Sequence, residues 1–373
     1  MDVEQVKKKL KKRKAPEAAP TDDEYVSTGL SLLNLGCTGT TKRGLRRAHY
    51  YLLVGESSSG KTWLAMQVLA EASVNSAFKD YRLILDNPER GNLMDVRRYF
   101  GDALADRMEP PTKKGHSETL DEFYDNVKTC CEAGPCVYVL DSEDSLDSEK
   151  DLAVQEEAAK ARAKDKEVKG SFGMNKAKTN STRMRSAHNV LEKHGSILVL
   201  IKQTRDNTGW DATYRPKTRS GGKALTFYGT VEMWFEKKGK IVRRIKGADR
   251  TVGHYLKVKF QKNRISGNDD FSVMLPFHRA HGFDEIGSLV DYCVEEGRWE
   301  ATGKEGADSK KIITAPDFSF SGSREDLIQK IETDGLETEL RLIVSEVWRE
   351  IEAACAVVRK PRYGAAELAQ PKE

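Results

Sequence analysis

The chain has 373 residues, of which 62 are basic and 58 acidic, for a net charge of +4. A hydrophobic fraction of 38%, a charged fraction of 32% and a mean hydropathy of −0.62 fit a soluble protein with a folded core and long polar loops. No apolar run approaches the roughly 18 residues that span a bilayer. The Lys-rich start lacks the apolar segment of a signal peptide, and none of the six cysteines sits in a C-x-x-C pair. A membrane protein and a zinc ribbon are thereby excluded, and reduced thiols and a cytoplasmic location are expected.

Residues 1–26 read as a flexible basic arm, a candidate for oligomerisation. A basic stretch at Val6–Lys14 leads into a Pro/Ala/Asp linker at Ala15–Asp23. His49–Val54 is a short apolar, aromatic run ending at Gly55, which predicts a buried strand. From Lys61 the pattern is helical, with Leu64, Val68, Leu69 and Ala72 on one face. Further strands are predicted at Tyr81–Leu85, Val137–Leu140 and Ile197–Ile201, with helices at Asp121–Cys131 and Thr182–His194 between them. Strands alternating with helices predict an α/β fold, an open and mostly parallel sheet covered on both faces. Active residues then belong at the carboxyl ends of the strands. Thr230–Phe235 and Tyr255–Lys262 alternate and suggest an antiparallel extension. Glu156–Lys169 reads as helix running into loop, and 303–317 as polar loop. Glu325–Glu332 and Glu337–Val357 read as two helices. The expected division is an arm at 1–26, a core at 27–302 and a small helical region at 303–373.

Gly55-Glu56-Ser57-Ser58-Ser59-Gly60-Lys61-Thr62 fits G-x-x-x-x-G-K-[ST], the phosphate-binding loop. Its glycines let successive backbone N–H groups curl around phosphate oxygens. Lys61 is expected at the β- and γ-phosphates, and the Thr62 hydroxyl on Mg²⁺. The helix that follows aims its positive end at the anion. Asp141 closes the apolar run Val137–Leu140, where such enzymes hold the Mg²⁺ shell. The cofactors implied are ATP and Mg²⁺. Hydrolysis also needs a group to position or deprotonate water. Glu89, in Asp86-Asn87-Pro88-Glu89, is the candidate and Asp86 the reserve; the same residues also read as an Asx turn.

The segment from Ser196 to Lys238 strongly resembles the RecA family. Gln203 stands at the strand end, a long segment follows, and Gly221-Gly222-Lys223-Ala224-Leu225-Thr226-Phe227-Tyr228 matches the family's closing motif. Ser27-Thr28-Gly29 with Ser31-Leu32, the Glu/Ser-rich phosphate loop, Phe260-Gln261-Lys262-Asn263-Arg264 and Gly282-Phe283-Asp284 through Trp299 match in the same order, over roughly residues 27 to 300. The resemblance implies a RecA-type nucleotide-hydrolysing core and a DNA-dependent ATPase. Such a protein forms a helical filament on single-stranded DNA and pairs it with homologous duplex DNA. It implies Gln203 as sensor of the γ-phosphate, and Lys262 and Arg264 as residues that reach the ATP of a neighbouring subunit.

Two segments have the composition of DNA-binding loops. One contains Arg205, Trp210, Tyr214, Arg215, Lys217 and Arg219, then Gly221 and Gly222. The other contains Lys169, Gly170, Phe172, Gly173, Met174 and Lys176. Basic groups pair with phosphates and aromatic rings stack on bases, giving strong salt dependence and weak sequence dependence.

The sequence departs from the family in two places. The catalytic Glu is expected two residues after the strand-end Asp, where Pro88 stands; Glu89 follows one step later. The acid and aromatic that hold adenine fall near Leu93 and Val96, so Tyr99 or Phe100 is expected to serve. Pro88 leaves room for a second reading, a protein that coats DNA and hydrolyses little ATP. A RadA-type motor or a replicative helicase shares the core fold, but the former's C-x-x-C module is missing and the latter lacks the closing motif. The compact, divergent loops would suit a bacteriophage, with the host cytoplasm as location.

Overall fold

The computed structural model describes residues 19–91, 94–162, 174–206, 217–219, 223–303, 311–357 and 359. In chain order the strands are β1 (Tyr25–Val26), β2 (Leu45–Arg46), β3 (Tyr50–Gly55), β4 (Arg82–Asp86), β5 (Met108–Glu109), β6 (Cys136–Leu140), β7 (Ile197–Asp206) and β8 (Lys217–Arg219). They continue with β9 (Val231–Ile245), β10 (Ala248–Asn263), β11 (Ser272–His278), β12 (Gly282–Phe283), β13 (Glu300–Thr302), β14 (Ile312–Ala315) and β15 (Phe320–Ser323). Among the described residues, ten strands form one sheet in the order β12-β11-β10-β9-β3-β7-β6-β4-β5, with β8 pairing β7. The run from β9 to β5 is parallel, and β10 to β12 continue it antiparallel.

Period-2 alternation explains the two cores. On β3, Tyr51 and Leu53 face one apolar cluster while Tyr50, Leu52 and Val54 face the other. Every residue of β3 and β6 is buried, as a strand covered on both faces requires. Leu64, Val68, Leu69 and Ala72 of the Lys61–Val74 helix fill the first cluster. The second is closed by the Leu120–Ala133 and Met174–His194 helices, through Phe123, Val127, Met184 and Leu191. All six cysteines are free thiols, five of them buried.

Several boundaries differ from the sequence reading. The core reaches back past residue 27. β1 pairs with β2, and Glu24 holds Arg46 at 2.9 Å and accepts the Arg47 N–H at 2.8 Å. The Ile312–Ala315 part of the expected loop is β14, the middle strand of a three-stranded sheet with β13 and β15. The C-terminal helices run Arg324–Asp334 and Glu337–Cys355. Arg324 clamps Asp291 on the Glu285–Glu295 helix at 2.6 and 2.8 Å. β9 and β10 are far longer than expected. Beyond Phe235 they form a largely exposed hairpin with eight Lys and Arg residues, Lys237, Lys238, Lys240, Arg243, Arg244, Lys246, Arg250 and Lys257, against the acids Glu236 and Asp249. β7 runs three residues past Gln203 because Thr204–Asp206 pair with β8. The helix expected from Thr182 begins at Met174, so Lys176 and Lys178 are helical.

Candidate nucleotide and DNA site

The phosphate loop joins the carboxyl end of β3 to the Lys61–Val74 helix. Gly60 has φ +87°, and a Cβ on Gly55 would stand 2.5 Å from the Phe235 carbonyl oxygen, so both positions need glycine. The first helical turn carries no acid, which leaves its positive end open to an anion. The Lys61 ammonium donates to the carbonyls of Gly55 at 2.9 Å and Glu56 at 2.6 Å. Burial pulls it down to about 8, against Asp141, Glu89, Asp144 and Glu56, which hold it up. Ser59 is buried and donates to the Glu56 carbonyl at 2.7 Å, while Glu56, Ser57 and Ser58 are exposed.

Thr62 Oγ1 donates to Asp141 Oδ2 at 2.7 Å. Burial, then the negative charge of Glu89, push the Asp141 carboxyl up; the Thr62 hydrogen bond and Lys61 oppose them. A hydroxyl and a carboxylate held together beside a phosphate loop fit a hard, oxygen-loving cation such as Mg²⁺. Glu89 lies beside this pair. Its carboxylate accepts from the Ser142 hydroxyl and, at 3.1 Å, from Gln203 Nε2. Gln203 N–H in turn donates to Asp144 Oδ2 at 2.7 Å. The structure thus brings Glu89, Gln203 and the turn after Asp141 together at the carboxyl edge of the parallel strands.

Asp86, the reserve catalytic acid, does not belong to this group. It is fully buried; its oxygens accept from the Ser117 N–H at 2.8 Å, the Ser117 hydroxyl at 2.5 Å and the Tyr138 hydroxyl at 2.6 Å. Burial still pushes its carboxyl up, and those bonds only partly offset it. The role is structural. Asp86→Ala is expected to lower folding stability by about 3 kcal/mol, because it strands buried donors; a melting temperature equal to wild type would show otherwise.

Trp63, next to Thr62, packs edge-on against Tyr99 at 5.2 Å and tilted against Phe100 at 5.1 Å. Both expected base-binding rings therefore lie beside the phosphate-loop helix. Phe100 is committed to the core, and the Arg98 guanidinium lies 5.1 Å over the Tyr99 ring. Val96 also packs against the core; Leu93 lies outside the described residues.

Of the expected DNA contacts, Lys169, Gly170, Phe172, Gly173, Trp210, Tyr214, Arg215, Gly221 and Gly222 lie outside the described residues. Met174 starts a helix and Arg219 ends β8. Arg205 is exposed, 3.8 Å from Asp144. Lys217 is held by Asp206 at 2.7 Å and Glu56 at 3.1 Å, tying the start of β8 to the phosphate loop. Lys176 is a correction. It is buried, and its ammonium donates to the carbonyls of Glu143 at 2.8 Å and Leu146 at 2.6 Å, out of reach of DNA.

Lys262 donates to the carbonyls of Thr226 and Phe227, the latter at 3.0 Å, and Arg264 lies 5.7 Å over the Phe227 ring. Both thus stand at the end of the Lys223–Tyr228 helix, which carries most of the closing motif. The sequence reading missed the basic hairpin and the Ser142 contact to Glu89. The hairpin's Lys/Arg density was visible, but strand alternation was not.

A family model described as the RecA N-terminal domain matches residues 138–275. The chain is 28% identical to the RecA protein of Chlorobium limicola over 292 residues, 74% of this chain and 75% of the relative. It is 26% identical to that of Chlorobaculum tepidum, over 78% of this chain and 76% of the relative. Against that of Chlorobium chlorochromatii it is 27% identical, over 74% and 73%. A phosphate loop, a strand-end Asp and the Lys223–Tyr228 helix thus accompany one mostly parallel sheet in a chain that is similar to RecA proteins over about three quarters of its length.

Proposed function

We propose that this chain binds Mg-ATP, polymerises on single-stranded DNA as a helical filament, hydrolyses ATP in that state and promotes pairing and strand exchange with homologous duplex DNA. The observation that carries the reading is the 3.1 Å hydrogen bond from Gln203 to Glu89. It joins the residue suited to hold water at the γ-phosphate to the strand that runs into 207–216, the segment with a DNA-binding composition. Thr62 and Asp141 are the residues to hold Mg²⁺, which supplies positive charge against the β- and γ-phosphate oxygens when bound. Lys61 and the loop N–H groups orient the phosphates; Glu89 orients and deprotonates water. Tyr99, beside Trp63, supplies a ring near the base. The exposed basic hairpin adds positive surface for DNA phosphates. Among the described residues no helix is long and apolar enough to cross a membrane.

Co-sedimentation with single-stranded DNA tests the ATP gate. Wild type is expected to coat DNA with a slowly hydrolysed ATP analogue and to release it without nucleotide or as salt rises. Lys61→Ala is expected to lose the nucleotide-dependent component. Filaments formed equally well by Lys61→Ala with no nucleotide would contradict the gating.

A further inference from the structure

Behind Gln203 lies a buried ionic cluster that nucleotide chemistry does not use. The side chains of Lys202 and Glu143 are wholly buried and directly paired. Lys176 Nζ stands 3.4 Å from the same Glu143 oxygen, and Asp144 Oδ1 lies 3.6 Å from Lys202. Asn180 Nδ2 donates to the other Glu143 oxygen at 2.7 Å and is itself held by the Tyr124 hydroxyl at 2.7 Å. Burial pulls the Lys202 ammonium down, while Glu143 and Asp144 hold it up.

Three elements meet here. Glu143 and Asp144 belong to the turn after Asp141. Lys202 is on β7, next to Gln203. Lys176 and Asn180 lie in the first two turns of the Met174–His194 helix. The helix start is fixed further by Asp151, which accepts the Lys176 N–H at 2.9 Å. A path of hydrogen bonds and ion pairs therefore runs from Glu89 through Gln203, Asp144, Lys202 and Glu143 to Lys176. Its far end is the helix that follows 163–173; its near end is the strand that precedes 207–216. Stability does not account for it, because apolar residues of similar volume commonly serve as well as a buried ion pair. What directional bonds add over apolar packing is a fixed mutual position.

We propose that the Lys202–Glu143–Lys176 cluster is a positioning element that makes Gln203 and the start of the Met174–His194 helix move as one, carrying the nucleotide state to both DNA-binding segments. The inference rests on the proposed function. It concerns coupling, which is a difference between states and not a contact with either ligand.

The test is the ratio of single-stranded-DNA affinities with and without a slowly hydrolysed ATP analogue. Glu143→Leu combined with Lys202→Met replaces the pair by apolar groups of similar size. Because Lys176 and the Asn180 amide lose the Glu143 carboxylate, it is expected to melt below the wild-type temperature, to bind the analogue alone within about two-fold of wild type, and to lose about ten-fold of the affinity ratio. Asp144→Asn keeps an acceptor for the Gln203 N–H and removes the charge that faces Lys202 and, at 3.8 Å, Arg205; a change in DNA affinity made through Arg205 alone is common to both nucleotide states and cancels in the ratio, so the variant serves if the double variant does not fold. Its ratio is expected to fall about three-fold. A wild-type ratio in either folded variant would overturn the coupling role. A wild type whose DNA affinity ignores nucleotide would overturn the functional reading itself.

Discussion

Glu89→Gln is expected to cut DNA-stimulated ATP turnover by about 100-fold or more and to leave nucleotide affinity within about two-fold. The amide keeps an oxygen for the Ser142 hydroxyl and for Gln203 Nε2, the two groups that hold Glu89 in place. Geometry is preserved and only the capacity to take a proton is lost. Loss of kcat with binding intact is the signature of an interaction made in the transition state. The one-residue displacement past Pro88 does not remove the acid from the site, because the Asn87–Arg90 turn, closed by the Arg90 N–H on the Asn87 carbonyl at 3.1 Å, presents Glu89 toward Ser142. Stimulated turnover that survives in Glu89→Gln would move the base elsewhere. Asp86 is a poor heir, being buried beneath three hydrogen bonds.

The second large effect is expected at the subunit boundary. Arg264→Ala should lower DNA-stimulated turnover by about 1000-fold while the free chain binds ATP as wild type does. The Arg264 N–H is fixed on the Thr230 carbonyl at 2.9 Å, and its guanidinium lies over the exposed Phe227 ring. It is thus displayed at the end of the closing-motif helix. Head-to-tail filaments join two different surfaces, so a residue acting in trans can be complemented. Equal mixing of Arg264→Ala with Lys61→Ala builds some interfaces from an intact phosphate loop and an intact Arg264, about a quarter if mixing is random. Mixed filaments are expected to regain turnover that neither variant shows alone. No recovery on mixing would place Arg264 in its own chain's chemistry.

What was legible in the sequence was local. The phosphate loop, Asp141 and the parallel strands each declare themselves within a few residues, through glycine spacing or a short apolar run between turn residues. What was hidden depends on distant partners or on exposure. Lys176 reads as a DNA-facing lysine until Glu143, 33 positions away, is seen to neutralise it inside the protein. The outer part of the hairpin, 236–250, is exposed on nearly every residue, so no alternation marks it, and register shifts near Gly253 and Leu256 disturb the rest. The start of the Met174–His194 helix is masked by its polar composition. β14 hides in a polar stretch where Ile313 and Ala315 are its buried residues.

The central claim is that nucleotide hydrolysis is tied to the DNA-bound filament. Phosphate release by wild type, titrated with single-stranded DNA at fixed ATP and Mg²⁺, tests it most directly. Turnover that rises steeply with DNA and saturates at filament stoichiometry is the predicted result. Flat, slow release across the same titration, with DNA tightly bound, would contradict it and make the chain an ATP-binding coat for single-stranded DNA.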